Sequence, residues 1–486
     1  MVFFDMKKEI TLALNYALNK GFQIHPDAFK ILENLDVRKL EKIIKEVVRE
    51  KTKQKLFQIN QDDLETYLGI KDDPTLQSEI NVLFDPTTKI TTGEGVKGYN
   101  ALFSNRFNKL KRIISDRPES KKLKSIASAK TTKSKDDLYV CGLVTSRNTE
   151  RNITKLVLED PSGLFEGIVF DSELQKTAGT LLNDQFVMVR TSPGKNSGMI
   201  IKDLILPDIP DQATNKSETE TYAVFLSDLH IGSKFFMEEE FNAFISWLSS
   251  PDPVARKIRF VLIAGDIVDG VGIYPNQDKE LVCLTIEEQL KKTVALIDKI
   301  PKNVKIIIMP GNHDPGRRAL PQPAIPKKYN SSLWEMENVV MVGNPAMISL
   351  NGVKVMMFHG QSIDDIVRTT PGLSYNKPTN VMKHLLRARH LSPIYGSQTP
   401  IAPELEDLLV IENIPDILHV GHVHRAELDM YKGILLVNSG SWQRQTPFQA
   451  SVGMTPNPGI VIMVNLKTFQ VFHQNYNLNL ENILQS

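Results

Sequence analysis

From Tyr222 onward, five apolar runs of this 486-residue chain each end directly in a cluster of polar side chains. Continuous apolar runs are typical of strands buried on both faces of a parallel or mixed sheet, because a strand with one solvent face alternates instead. Helix-like stretches such as 281–300 lie between some of the runs. The pattern predicts an α/β domain over residues 221–486, with strands at Tyr222–Leu226, Phe260–Ala264, Val304–Met309, Val353–Phe358 and Ile417–Val420.

The clusters that follow these runs consist of residue types that bind metal ions. In chain order they contain Asp228 and His230, Asp266 and Asp269, Asn312 with His313 and Asp314, His359, and finally His422 and His424. Because the carboxyl ends of sheet strands face one crevice, we expect these side chains to converge. Imidazole, carboxylate and amide ligands together suit manganese, iron, zinc or nickel, and so many nitrogen ligands disfavour a magnesium or calcium cage. One such cluster is often incidental, but five in succession predict a metal centre.

Length and composition limit the number of domains and the classes of protein to which the chain can belong. A chain of this length allows two to four domains at about 100–200 residues each. Hydrophobic residues make up 41% and charged residues 24%, with a net charge of +1, so bulk electrostatics indicate no particular partner. Two cysteines without a CxxC spacing disfavour a disulfide framework and a thiolate zinc site. No apolar run approaches the roughly 18 residues of a membrane span, and the N-terminus becomes charged too early for a signal peptide.

The first 135 residues carry no catalytic signature. Residues 1–70 show helical apolar stripes, one of them preceded by a candidate cap at Asp36, and predict a small helical module. Residues 71–135 are interpreted as a linker that contains an amphipathic helix from Tyr99 to Ile114. Eleven Lys or Arg residues and two acids lie between Arg106 and Lys135, and the part from Ser115 to Lys135 is interpreted as a disordered basic tether with weak attraction for DNA. A fragment that begins near Asp136 is therefore expected to fold and to keep the site.

Residues 136–208 alternate apolar and polar side chains in five short strand-like runs separated by turn signals. Five short strands over about seventy residues are typical of an OB-type β-barrel. Such barrels bind single strands through aromatic side chains, but few exposed aromatics are expected here, so a docking role for the barrel stays open.

The order DxH, GDxxD, GNHD, H and GHxH resembles the calcineurin-like metallophosphoesterase superfamily. The sequences around these motifs are similar to the small, proofreading exonuclease subunits of archaeal D-family DNA polymerases. They include Gly270 to Gln277, Arg317 to Pro323, His359 to Asp365, Arg389 to Gly396 and Asn438 to Gln443. The likeness covers about residues 99–470.

This resemblance implies a set of residue roles. One ion would be held by Asp228, His230, Asp266 and His424, and a second by Asp266, Asn312, His359 and His422, with Asp266 bridging. His313 would stabilise charge or protonate the leaving 3′ oxygen, and Asp269 would orient His313. Asp314 is interpreted as a turn-forming carboxylate. His384, His390, His419 and His473 match no ligand position; His419 is expected to be buried in the sheet, and His390 to be structural or at the rim.

The family also implies cofactors and partners. Two divalent ions are expected, with Mn²⁺ favoured and Fe²⁺, Ni²⁺ or Zn²⁺ as alternatives. The expected partners are the large catalytic polymerase subunit and the 3′ end of a DNA primer, in a cytoplasmic, nucleoid-associated setting. A weak sliding-clamp motif is present at Gln77, Ile80, Leu83 and Phe84. Two other interpretations stay open: a non-catalytic scaffold subunit, and a free-standing phosphatase or nuclease.

Overall fold

The computed structural model describes residues 2–33, 37–53, 55–67, 76, 78–132, 137–151, 153–194, 198–250, 252–451 and 453–477. The first of these residues form a helical module, as predicted. Its buried stripe includes Leu40, Ile43 and Val47, and the candidate cap Asp36 lies outside the described residues. The module consists of α1 (Val2–Asn19), β1 (Gln23–Ile24), α2 (Pro26–Glu33), α3 (Val37–Lys53), β2 (Gln58–Ile59) and α4 (Gln61–Tyr67).

The next elements occupy the segment that the sequence suggested was a linker. They are β3 (Ile80–Phe84), α5 (Gly95–Ile113), a 3₁₀ turn at Pro118–Lys122, β4 (Leu123–Lys124) and α6 (Ile126–Thr131). The predicted amphipathic helix corresponds to α5.

A closed five-stranded barrel follows, formed by β5 (Leu138–Glu150), β6 (Ile153–Asp160), β7 (Gly163–Val169), β8 (Phe186–Pro193) and β9 (Met199–Ile205), with α7 (Ser172–Gly179) between β7 and β8. The strand order is β5-β6-β7-β9-β8, and β5 pairs with β8 to close the barrel. The inward side chains, among them Val140, Leu156, Leu158 and Val189, are fully buried. The predicted fold class, with its OB-type barrel, is thereby confirmed.

The described part of the basic segment is ordered, so the prediction of a disordered tether is wrong for residues 115–132. Strand β4 pairs in parallel with β5, and Ile126 and Ala129 of α6 are buried in the barrel core. The carboxylate of Asp160 accepts a hydrogen bond from the backbone amide of Ile126 at 2.9 Å. Ile126, Ala129 and the carboxylate of Asp160 hold this polar stretch onto the barrel. So few apolar residues do not change the polar composition from which disorder was predicted.

The C-terminal domain contains the predicted strands in a sandwich of two six-stranded sheets. Its strands are β10 (Tyr222–Leu226), β11 (Ile258–Ala264), β12 (Lys305–Met309), β13 (Val339–Met341), β14 (Ala346–Leu350), β15 (Val353–Phe358), β16 (Ile417–Val420), β17 (Glu427–Tyr431), β18 (Ile434–Asn438), β19 (Ile460–Asn465) and β20 (Val471–Asn475). Its helices are α8 (Glu238–Leu248), α9 (Ile286–Ile297), α10 (Ser331–Glu335), α11 (Ile363–Thr369), α12 (Pro378–Ala388) and α13 (Pro447–Ser451). The sheet orders are β13-β12-β11-β10-β19-β20 and β17-β18-β16-β15-β14-β3.

The two sheets share one apolar core between them, to which Phe225, Phe260, Val355 and Met357 contribute. Helices α8, α9 and α10 cover the outer face of the first sheet, and α5, α11 and α12 cover that of the second. Continuous apolar runs arise because each central strand is buried on both faces. Within the described residues, no helix has the length and apolarity needed to cross a bilayer.

Strand β3 shows that the predicted linker over residues 71–135 also belongs in part to this domain. It pairs antiparallel with β14, Ile80 opposite Leu350 and Val82 opposite Ile348, and forms the edge of the second sheet. Three of the four residues of the weak clamp motif thus lie in a sheet strand, and Gln77 lies outside the described residues. A five-residue edge strand with three exposed side chains lacks the continuous apolar run that marked the central strands.

The topology explains where the polar clusters meet. Strands β10, β11 and β12 are parallel neighbours in the first sheet, and β15 and β16 are parallel neighbours in the second. Their carboxyl ends lie at one edge of the sandwich, and the loops after all five strands carry the predicted site residues.

Candidate metal centre

The predicted ligands come together in two adjoining groups. Asp228, His230 and His424 form one, and Asp266, His359 and His422 form the other, each with ligand atoms within 4.8 Å of one another. In the first group, the Nε2 atoms of His230 and His424 are 3.0 Å apart, and Nε2 of His424 is 3.5 Å from Oδ1 of Asp228. In the second, Oδ1 of Asn312 lies 2.9 Å from Nε2 of His359.

Asp266 stands between the two groups. Its Oδ2 atom is 3.3 Å from Nε2 of His359 and 3.9 Å from Nε2 of His230. Its Oδ1 atom accepts a hydrogen bond from the backbone amide of His313 at 2.8 Å, which fixes the carboxylate plane. One carboxylate oxygen therefore faces both groups, the position that a bridging ligand requires.

Each of the four imidazoles in these groups has its other ring nitrogen held by a neighbour. Nδ1 of His230 is 3.0 Å from the Asp269 carboxylate, and Nδ1 of His359 donates to the carbonyl of Ala264 at 2.8 Å. Nε2 of His422 lies 3.1 Å from Asp364, and Nδ1 of His424 lies 2.8 Å from the side-chain amide of Gln449. Such partners fix ring orientation and tautomer, so that one nitrogen of each ring is aimed at the cluster.

Asp269 contacts His313 through its main chain and not through its carboxylate. Its carboxylate contacts His230 and also accepts hydrogen bonds from the amides of Gln277 and Gln443, at 2.9 and 2.8 Å. His313 is oriented instead by the backbone of Asp269, whose carbonyl accepts from Nδ1 of His313 at 2.7 Å. The Asp269 carboxylate therefore positions a predicted metal ligand, while its main chain positions His313.

His313 contacts both groups and forms a third metal-capable group with His230 and Asp266. Its Nε2 atom is 3.9 Å from Oδ2 of Asp266, and its ring meets that of His230 edge-on with centroids 4.7 Å apart. Its side chain is 15% exposed and that of His422 is 14% exposed, whereas those of His230 and His359 are at most 2% exposed. His313 therefore lies on the open side of the cluster.

The main chain is strained at the same positions. Five of the seven predicted ligands have left-handed φ angles of 50–71°: Asp228, His230, Asp266, His422 and His424. This region is uncommon for residues other than glycine and costs of order 1–3 kcal/mol per residue. Strain concentrated on one set of polar residues indicates a functional site.

Two glycines make room for these turns. Gly265 has φ of 87°, and a Cβ there would lie 2.6 Å from Nδ1 of His359. A Cβ on Gly311 would lie against Oδ1 of Asp266. The backbones of the second and third loops can approach the ligands this closely because both positions lack a side chain.

Comparison with known proteins places the chain in a family. The model of the family of B subunits of DNA polymerases alpha and epsilon matches residues 223–427. The DNA polymerase II small subunit of Archaeoglobus fulgidus is 40% identical over 388 residues, covering 79% of this chain and 78% of the relative. That of Methanothermobacter thermautotrophicus is 36% identical over 396 residues, covering 80% and 81%. The chain belongs to the family of archaeal DNA polymerase II small subunits.

The chain is also similar to a further relative and to a solved structure. The small subunit of Pyrococcus furiosus is 36% identical over 423 residues, covering 83% of this chain and 68% of the relative. A solved structure described as a novel archaeal phosphodiesterase is 12% identical and covers 52% of this chain and 99% of its own, with a TM-score of 0.28. The resemblance drawn from the motifs is confirmed, and the fold is assigned here from the strand order.

The electrostatics of this polymerase small subunit favour a bound cation. Burial raises the pKa of the Asp228 carboxyl, and the nearby Asp266 carboxylate raises it further. Burial lowers the pKa of the His359 imidazole, but Asp266 and Asp228 outweigh burial and raise it to about 10. Oδ1 of Asp228 is buried and has no hydrogen-bond partner among the described residues. An unpartnered carboxylate oxygen facing imidazole nitrogens fits a divalent metal ion.

The remaining residues singled out in the sequence have structural roles. Asp314 accepts hydrogen bonds from the backbone amides of Ile267, Val268 and Gly311 and forms the predicted turn. His419 is buried in the sheet, 3.0 Å from Ser439, as expected. His390 is buried 3.0 Å from Asp407, away from the rim. His384 and His473 belong to none of the metal-capable groups found among the described residues.

Sequence reasoning missed the side chains that hold the ligands. Asp364 stands five residues after His359 in a motif that was noted without a role, and this spacing was its only signal. Gln277 and Gln443 end two of the stretches that resemble the family, but nothing in the sequence indicated their partner Asp269. Gln449 lies outside those stretches, and its contact with His424 is visible only in three dimensions.

Proposed function

We propose that this chain is the 3′→5′ proofreading exonuclease subunit of an archaeal D-family DNA polymerase. Its substrate would be the phosphodiester bond at the primer 3′ end, and it would also dock the large polymerase subunit. The observation that supports catalysis is that all seven predicted ligand side chains lie at one site, where Asp266 faces both His230 and His359. A pure scaffold would gain nothing from five strained ligand positions, and a free-standing phosphatase would not explain the family.

The chain's residues would hold two divalent ions. Asp228, His230, Asp266 and His424 would bind one, and Asp266, Asn312, His359 and His422 the other. When bound, such a pair supplies Lewis acidity and a nucleophile for in-line displacement at phosphorus. The residues described above fix every imidazole before an ion arrives, so little reorganisation opposes binding.

His313 would complete the reaction as the proton donor. Its Nδ1–H is held by the Asp269 carbonyl, which leaves Nε2 to carry a proton towards the leaving 3′ oxygen. Its place on the open side of the cluster would let Nε2 reach a bound strand. The family resemblance assigns it to chemistry, although it also lies within ligand distance of His230 and Asp266.

Replacing His313 with alanine separates chemistry from metal binding. We expect His313→Ala to lower the cleavage rate about 10²- to 10⁴-fold, because proton transfer to the leaving oxygen is lost. Metal content should remain close to that of the wild type. The rate on a 5′-labelled mismatched primer and the bound metal are measured on the same preparation.

His473→Ala is the matched control, since it removes an exposed histidine of strand β20. It should change neither rate nor metal content. Loss of metal from His313→Ala would show that His313 is a ligand and would contradict the assigned role.

The choice of metal gives a second prediction. After chelation and dialysis, Mn²⁺ should restore cleavage more fully than Mg²⁺ at equal concentration, because four imidazoles suit a transition ion better than a hard oxygen-seeking one. The initial rate on the same primer is measured across a titration of each ion. Full activity in Mg²⁺ alone after stringent chelation would count against the ligand set.

A further inference from the structure

Two aromatic rings lie one after the other on the open side of the cluster. The rings of Tyr274 and Phe448 stack with centroids 5.7 Å apart and planes 18° apart. Tyr274 in turn lies 6.4 Å from the ring of His313. Phe448 is 52% exposed. The order His313, Tyr274, Phe448 therefore leads outward from the cluster to solvent.

Both rings are anchored to residues that hold the metal-binding side chains. In the loop of Tyr274, the amide of Gln277 accepts from the backbone of Ile273 at 2.9 Å and donates to Asp269. The Tyr274 hydroxyl donates to Glu280 at 2.9 Å, which fixes the ring within its loop.

The second ring is fixed from the opposite side. Phe448 precedes Gln449 in α13, and the Gln449 side chain lies 2.8 Å from His424 and accepts from the backbone of Thr446 at 3.1 Å. The aromatic pair is thus held at a set position relative to both Asp269 and His424.

A flat aromatic surface beside a phosphodiester-cleaving centre suits a nucleobase. Bases of single strands stack on aromatic side chains whatever their identity, because every base has a π face. A base inside a duplex has both faces covered by its neighbours, so only an unpaired end can use such a surface.

We infer that Tyr274 and Phe448 form a stacking platform for the base of the penultimate nucleotide of an unpaired 3′ end. The inference rests on the proposed exonuclease function. His313 would protonate the 3′ oxygen that leaves, and that oxygen belongs to the nucleotide that stays on the strand. The base of this nucleotide lies on the side of His313, where Tyr274 and Phe448 stand. The platform selects frayed ends over paired ones.

The test compares Phe448→Ala with the wild type on three single-stranded oligonucleotides. One carries every base, one lacks the penultimate base, and one lacks the terminal base. Removing the ring should lower kcat/KM about 5- to 150-fold on the complete strand, the range for loss of one stacked base. It should lower kcat/KM similarly on the strand without the terminal base, and have no effect on the strand without the penultimate base.

Phe170→Ala is the matched control, because Phe170 is also 52% exposed but lies in the barrel domain. It should behave as wild type on all three strands. Binding is followed separately with 2-aminopurine at the penultimate position, in chelator so that no cleavage occurs. Its fluorescence should be quenched by the wild type and by Phe170→Ala but not by Phe448→Ala.

The outcomes separate the platform from the function it serves. An active wild type with equal losses for Phe448→Ala on all three strands, or no loss on any, overturns the platform and leaves the exonuclease intact. Quenching that survives in Phe448→Ala also overturns it. A metal-loaded wild type that cleaves none of the strands overturns the proposed function instead.

Discussion

Asp266→Ala is expected to abolish cleavage and to release metal from both groups at once. Oδ2 of Asp266 is the atom that faces both His230 and His359, so its removal takes one ligand from each ion. The two ions supply several kcal/mol of transition-state stabilisation, and each 1.4 kcal/mol is tenfold in rate, so the loss should be at least about 10³-fold. Metal content by mass spectrometry and the rate on a mismatched primer are measured together.

Asp228→Ala serves as the comparison for this variant. Asp228 belongs to one group only, so its loss should weaken one ion and leave the other bound. Two ions retained in Asp266→Ala would show that the carboxylate does not bridge, and the arrangement proposed above would fail. Both aspartates are buried, so circular dichroism is recorded first to confirm that each variant is folded.

The metal centre could be predicted from the sequence because its signals are local. Each ligand follows a strand that is buried on both faces, and such a strand is visible as an uninterrupted apolar run. Gly265 and Gly311 each directly precede a predicted ligand in sequence, because the backbone at these positions passes too close to the site for a side chain. Strand, turn and ligand are thus encoded within about ten residues at each position.

The supporting contacts could not be predicted, because they join distant parts of the chain. Asp269 has the spacing of a residue that orients His313, yet its carboxylate contacts His230, while its carbonyl performs the orienting. The loop conformation decides whether the carboxylate or the carbonyl of Asp269 contacts a given histidine. The pattern of residue types in the sequence does not contain this information. Gln449 and its contact with His424 are of the same kind.

The predicted linker failed for a related reason. Strand β3 and helix α5 do carry apolar residues, but the surfaces that cover them come from partners about 270–300 residues away. Arg106 of α5 is fully buried, with its Nε donating to Asp407 at 2.8 Å and its Nη1 to the carbonyl of Pro393 at 2.6 Å. From sequence, a single arginine in a basic stretch is predicted to be exposed to solvent, because its buried partner lies far away in the chain.

A fragment that starts at Asp137 should therefore fail to fold, whereas one that starts at residue 78 should fold and keep the site. The shorter fragment lacks β3, which leaves the edge of β14 unpaired, and it lacks α5, which covers the second sheet with Leu102. It also leaves Asp407 buried without its arginine, at a cost of about 3–5 kcal/mol. That loss alone is a large part of the roughly 5–15 kcal/mol that stabilises a typical domain. Thermal unfolding and metal content of the two purified fragments are compared.

The buried ion pair can be tested on its own in the full-length chain. Arg106→Ala should lower the free energy of unfolding by about 3–5 kcal/mol, because the carboxylate of Asp407 would remain in the interior without its guanidinium partner, next to His390 and the backbone amide of Leu409. Arg112→Ala is the matched control on the same helix. The side chain of Arg112 is 69% exposed and pairs with Glu412 at the surface, and such an ion pair contributes at most about 1 kcal/mol. Urea unfolding of both variants decides between the alternatives. Equal small effects, together with a stable fragment from Asp137, would show that α5 belongs to a linker as the sequence suggested. A large effect at Arg106 alone would show that the segment before the barrel is part of the core of the C-terminal domain.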